Sequence, residues 1–80
     1  MAVEKLEAGV EFDHLGSWFN TIDRVLAVEH HIALVEGHEE DGFIKWWVFV
    51  ETDNGWESSY NSTQKDAMED QFLMMVNNRR

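Results

Sequence analysis

Three histidines and four acids crowd the middle of this 80-residue chain: His30, His31 and His38 beside Glu36, Glu39, Glu40 and Asp41. Imidazole and carboxylate are zinc-ligand types. Their spacing argues against that use. Neighbouring residues on a strand point to opposite faces, so His30 and His31 do not jointly ligate one ion. The run also lacks the ordered oxygen spacing of a calcium-binding hand. With no cysteine, the chain can form neither a thiolate metal site nor a disulfide. It contains no Gly-rich phosphate loop, nucleophile elbow or HExxH pattern. No serine, threonine or lysine is set beside a histidine and an acid by its sequence context. The expectation is a non-enzymatic chain with no metal and no cofactor.

Charge narrows the partner. Sixteen Asp and Glu against six Lys and Arg give a formal net charge of −10. Phosphate contacts need a basic footprint, so direct nucleic-acid binding is not expected. An anionic membrane surface is disfavoured for the same reason. A cationic protein surface suits the charge, as does simple solubility. Eighty residues is one domain with a small core, to which four Trp and five Phe contribute heavily. No apolar run approaches the roughly 20 residues that span a bilayer. The start, Met1-Ala2-Val3-Glu4-Lys5, lacks the basic and apolar stretches of a signal peptide. A soluble, cytoplasmic protein is expected.

The elements that would position these groups are organised around residues 43–52, a run of aromatic and β-branched residues between Asp41-Gly42 and Asp53-Asn54-Gly55. It reads as a central strand between two hairpins. Ile44, Trp46, Val48 and Val50 share one face; Phe43, Lys45, Trp47, Phe49 and Glu51 share the other. Upstream, Leu15, Trp18, Phe19, Ile22 and Leu26 follow helical spacing and predict a helix over 13–27, with Asp13 as N-cap. Residues 28–37 alternate as a strand. Three-residue loops closing on Gly42 and Gly55 place Leu34 opposite Val48, Ile32 opposite Val50, Tyr60 opposite Val48 and Ser58 opposite Val50. A two-residue Asn54-Gly55 turn would instead move Trp56 and Tyr60 to the other face. Met68, Phe72, Met75 and Val76 form the buried stripe of a last helix, opened by a capping box at Asn61/Gln64 or Thr63/Asp66. The predicted fold is a two-layer α+β domain, helix–three-stranded antiparallel sheet–helix (αβββα). Residues 1–12 are a flexible or packing arm of the single domain 1–80.

One sheet face is then left over. Trp47 and Phe49, bordered by Glu51 and Glu57, offer an aromatic interface, unless the arm or a second subunit covers them. With Glu36, Glu39, Glu40 and Asp41 they make up the expected partner-binding set. Carboxylates held on regular elements can present a rigid negative surface to a site built for phosphates, with aromatic anchors beside them. In size, charge and inferred element order the stretch 13–80 resembles small acidic phage-encoded anti-CRISPR inhibitors of αβββα outline. That resemblance implies a DNA mimic bound to the basic DNA-binding surface of a bacterial defence nuclease complex. Phage inhibitors of restriction or DNA-repair enzymes share the same character. The alternative is a homodimeric interaction module joined through the aromatic sheet face.

Overall fold

A computed structural model describes residues 2–14 and 19–80. The described elements are β1 (Glu11–Asp13), β2 (Phe19–Glu29), β3 (Ile32–Glu39), β4 (Ile44–Thr52), β5 (Gly55–Ser62) and α1 (Lys65–Asn78). The strands form one curled antiparallel sheet in the order β1-β2-β3-β4-β5, with the helix packed chiefly on β3, β4 and β5. The predicted αβββα layout is therefore wrong: the region read as the first helix is mostly strand.

The reason lies in two bulges. β2 runs 11 residues, and its pairing with β3 skips Asp23 and Leu26. Each extra residue shifts the alternation by one. Ile22 and Val25, three apart, consequently face the same side, as they would in a helix. Ile22 and Leu26, which a helix would stack, lie against opposite cores. An apolar spacing of three and four thus arises from an irregular strand. Thr21, Ile22, Val25 and Val28 are β-branched and suit the pleated surface. Leu15 and Trp18 of the expected stripe lie outside the described residues, and Asp13 is in β1 rather than at a helix start.

The predicted strand over 28–37 is broken at its second residue pair. His30 and His31 form the two-residue turn between β2 and β3, with φ of 51° and 64°. Positive φ at both positions is the signature of a type I′ hairpin, usually occupied by Asn-Gly. Three contacts hold the turn. Glu51 N–H donates to the His31 carbonyl at 2.8 Å, and Arg79 Nη1 donates to the His30 carbonyl at 3.0 Å. The His31 ring lies 2.8 Å from Glu51 Oε1.

Of the two later hairpins, the first has the expected register and the second departs from it. Leu34 faces Val48 and Ile32 faces Val50, as expected, around a three-residue loop closed by Gly42 at φ +94°. In the second hairpin Thr52 pairs with Gly55, so the loop has two residues, Asp53 and Asn54. Val50 meets Glu57 rather than Ser58, and Trp56 joins the opposite core. A bulge between Val48 and Phe49 then restores the expected Val48–Tyr60 pair.

The two sheet faces carry separate cores. Ile32, Leu34 and Val48 pack under Met68, Phe72 and Val76 of α1. Phe12, Ile22, Ala33, Val35, Trp47, Phe49 and Trp56 form the other core, covered by Val3, Leu6 and Val10 of the arm. Phe12 meets Trp47 and Phe49 edge-on, at centroid separations of 5.1 and 4.9 Å. The arm is strapped at both ends. Val3 exchanges two backbone hydrogen bonds with Trp56 on β5, and Val10 accepts from Ile22 N–H on β2. Gly55 permits the first of these, because a Cβ there would sit 2.6 Å from the Val3 carbonyl oxygen. The helix starts without a side-chain cap; Ser62 Oγ accepts from Gln64 N–H just before it, in place of the expected capping box.

Two outcomes test this arrangement. Val48 is fully buried under the helix, so Val48→Asp is expected to lose about 4 kcal/mol or more by burying an unpaired charge. Urea unfolding measures it, and a midpoint near the parent's contradicts the packing. Replacing His30-His31 by Asn-Gly is expected to raise stability by about 1 kcal/mol, the order of strain held by a non-glycine residue at positive φ. An unchanged or lower midpoint rejects the type I′ turn as a strained feature.

Candidate functional site

With both faces covered, a surface that combines charge and apolar groups stands at one end of the sheet, around the β3–β4 hairpin. The loop is built locally. Gly42 N–H donates to the Glu39 carbonyl at 2.8 Å, and Glu39 N–H donates to the Phe43 carbonyl at 2.8 Å. Asp41 Oδ1 accepts from Phe43 N–H at 3.3 Å, a side-chain closure typical of Asp in turns. Glu40 N–H donates to the Phe19 carbonyl at 3.1 Å, which fastens the hairpin to the start of β2. Phe19, Phe43 and Ile44 consequently surround the acidic tip, and each is more than half exposed, at 58%, 65% and 57%.

The expected partner-binding residues are not all here. Glu39, Glu40 and Asp41 stand together at the tip. Glu39 lies 3.5 Å from Lys45 Nζ, whereas Glu40 and Asp41 project from the loop as exposed residues. Glu36 is further down β3, bound by Arg24 Nε at 2.7 Å and by Trp46 Nε1 at 3.2 Å. Glu51 and Glu57 sit toward the opposite end of the sheet, Glu51 against His31. Trp47 and Phe49 are each only 1% exposed, so the expected aromatic interface is an internal core. Of the covers considered from sequence, the arm is the one that the fold uses.

Sequence reasoning missed Phe19, Phe43 and Ile44. Helical spacing places Phe19 in a buried stripe, whereas it starts β2 and is exposed. The apolar run counts Phe43 and Ile44 in the central strand, yet Phe43 precedes β4 and Ile44 begins it, at the rim of the ladder. The three-residue loop was the available signal: a residue directly after its glycine pairs with Glu39, past the last core position.

The histidines are dispersed. His30 and His31 occupy the turn at the far end, and His38 lies 2.9 and 3.1 Å from the two Asp23 carboxylate oxygens. Among the described residues no group of three or more His, Asp or Glu is placed to hold a metal ion. His14 is partly buried. Its Nδ1 lies 2.8 Å from Ser58 Oγ, and its pKa is lowered from 6.5, first by desolvation and then by the nearby Lys45 charge. Among the described residues no helix is long and apolar enough to cross a membrane.

Compared with known protein families, curated proteins and solved structures, the chain matches none.

The His14 environment sets a pH dependence. A histidine with a lowered folded pKa binds fewer protons folded than unfolded, so its neutral form supports the fold. That contribution is complete above the ordinary value of 6.5 and is lost as pH falls through 6.5 toward the folded value. Thermal midpoints measured from pH 7.5 to 5 are expected to fall less steeply for His14→Gln than for the parent. Parallel curves would show that His14 is not held neutral by the fold.

Proposed function

We propose that this chain is a non-enzymatic inhibitor whose acidic hairpin end occupies the basic DNA-binding surface of a bacterial defence nuclease complex, in the manner of anti-CRISPR DNA mimics. The observation that carries the reading is the tip itself. Glu39, Glu40 and Asp41 are fixed on a closed turn, and Phe19, Phe43 and Ile44 stand exposed around them. Carboxylates on a rigid support meet Arg and Lys at little ordering cost. Large apolar groups beside them supply anchors of the kind that dominate binding energy. The charge of −10 over 80 residues adds long-range attraction to a basic partner. The αβββα outline forms no part of the reading; it rests on charge, size and the tip. The anchoring role first expected of Trp47 and Phe49 passes to Phe19 and Phe43.

Encounter would be steered by charge and completed by desolvation of the phenylalanines. Steering over exposed groups reaches about 8 Å at physiological ionic strength. Association should therefore accelerate as salt is lowered.

The test is DNA cleavage by purified RNA-guided nucleases and restriction enzymes, with the chain titrated in. Inhibition relieved by excess duplex DNA is expected for a susceptible enzyme. Glu39→Gln with Glu40→Gln and Asp41→Asn keeps the Asp41 turn acceptor and removes three charges. It should weaken inhibition by about tenfold and flatten its salt dependence. Phe19→Ser with Phe43→Ser, both at exposed positions, should weaken inhibition at every salt concentration. A target that holds DNA and the chain together, or that binds the charge variant as tightly as the parent at low salt, rules out mimicry through this tip.

A further inference from the structure

The helix lies over β3, β4 and β5 and leaves the near side of β2 standing clear. Between them runs a groove of about 390 Å³, whose apolar walls include Leu26, Leu34, Phe72 and Leu73. Two charged residues also line it, Lys65 and Glu69, four apart on the helix. That spacing sets their Cβ atoms about 5–6 Å apart on one side of the helix. Glu69 is partly buried and Lys65 is exposed. Among the described residues, no salt bridge engages either of them.

From this geometry we infer that the groove binds a free α-amino acid with a large apolar side chain, its carboxylate at Lys65 and its ammonium at Glu69. The lining selects that class. Walls of leucine and phenylalanine take a branched aliphatic or aromatic group out of water, which is favourable in proportion to the apolar area covered. One cation and one anion a turn apart match a ligand that carries both charges. A simple carboxylic acid would set its charge against Glu69 and against a chain already at −10. A simple amine would meet Lys65. A zwitterion is neutral overall and answers both. A peptide separates its termini by the length of its backbone, whereas a free amino acid holds both charges on the carbon that bears its side chain. The helix sets the direction. Lys65 opens it, at the end where the dipole favours a carboxylate, and Glu69 stands one turn further in. A volume of about 390 Å³ lies at the lower end of small-ligand sites, about 300–1,000 Å³, and suits one such side chain.

This inference does not depend on the proposed function. The hairpin tip and the groove share no residue, so either can fail alone.

The probe is L-leucine, titrated into the ¹⁵N-labelled 80-residue chain and followed by NMR. Amide shifts are expected at Leu26, Ala27, Glu69 and Leu73. Three relatives of the probe each lack one feature: N-acetyl-leucine the ammonium, leucine amide the carboxylate, and glycine the side chain. Each should bind about fivefold more weakly than leucine, the order of one exposed ion pair or one partly covered apolar group. The variants should repeat that pattern. Lys65→Gln should weaken leucine about fivefold and leave leucine amide unchanged, and Glu69→Gln should weaken leucine equally and leave N-acetyl-leucine unchanged. Leu73→Ser, at a position 54% exposed, should preserve the fold and weaken leucine without changing glycine. No shift with leucine, shifts confined to residues outside the groove, or any of the three relatives binding as tightly as leucine overturns the inference. So does a Lys65 or Glu69 variant that binds leucine like the parent.

Discussion

The structure depends on one constraint: the central strands are apolar on both faces. Ala33, Val35, Trp47 and Phe49 point one way, and Ile32, Leu34 and Val48 point the other. A sheet of this kind needs two covers, because leaving either face wet forfeits about 25 cal/mol for each Å² of apolar surface. One cover is the C-terminal helix. The other is the arm, which contributes Val3, Leu6 and Val10 and delivers Phe12 onto Trp47 and Phe49. A chain without cysteine has no covalent brace. Strapping the arm to β5 at Val3 and to β2 at Val10 gives a hydrogen-bonded substitute across the sheet.

Covering both faces also decides where charge can stand. The carboxylates are driven to turns, strand ends and the outer helix stripe. Several are answered locally: Glu36 by Arg24, Glu39 by Lys45, Glu29 by Arg80, and Asp23 by His38. Where such a pair is solvent-exposed on both sides, as Glu29–Arg80 is, it contributes little to stability, on the order of 0–1 kcal/mol. The effect of the pairs is to place the surplus negative charge unevenly. The β3–β4 tip remains acidic, beside exposed apolar side chains. A charged surface alone suits solubility; charge next to an uncovered phenylalanine or leucine suits recognition.

Much of the central hairpin was legible in the chain. The apolar run before Asp53 and the glycine at 42 were sufficient for the β3–β4 register, because a loop of defined length fixes every pair behind it. The last helix was equally legible, since Met68, Phe72 and Val76 repeat at four-residue spacing without interruption. The acidic tip followed from the same loop. Its aromatic neighbours did not, because Phe19 and Phe43 become exposed only through where β2 and β4 begin.

What the sequence determined by itself was therefore local: turn chemistry at Gly42, alternation in β4, helical periodicity in α1, and the excess of negative charge. What the tertiary structure decided was every feature that depended on a distant partner. Bulges at Asp23 and Leu26 made a strand imitate helical spacing, and pairing with β3 selected the strand. The His30-His31 turn adopts positive φ, held by Glu51 from β4 and Arg79 after the helix. Trp47 and Phe49 became core rather than interface because residues 3–12, remote in sequence, lie across them. Local propensity is worth at most about 1 kcal/mol per residue. Burying one large aromatic side chain is worth about 1.5–3 kcal/mol, so long-range cover prevailed wherever the two disagreed.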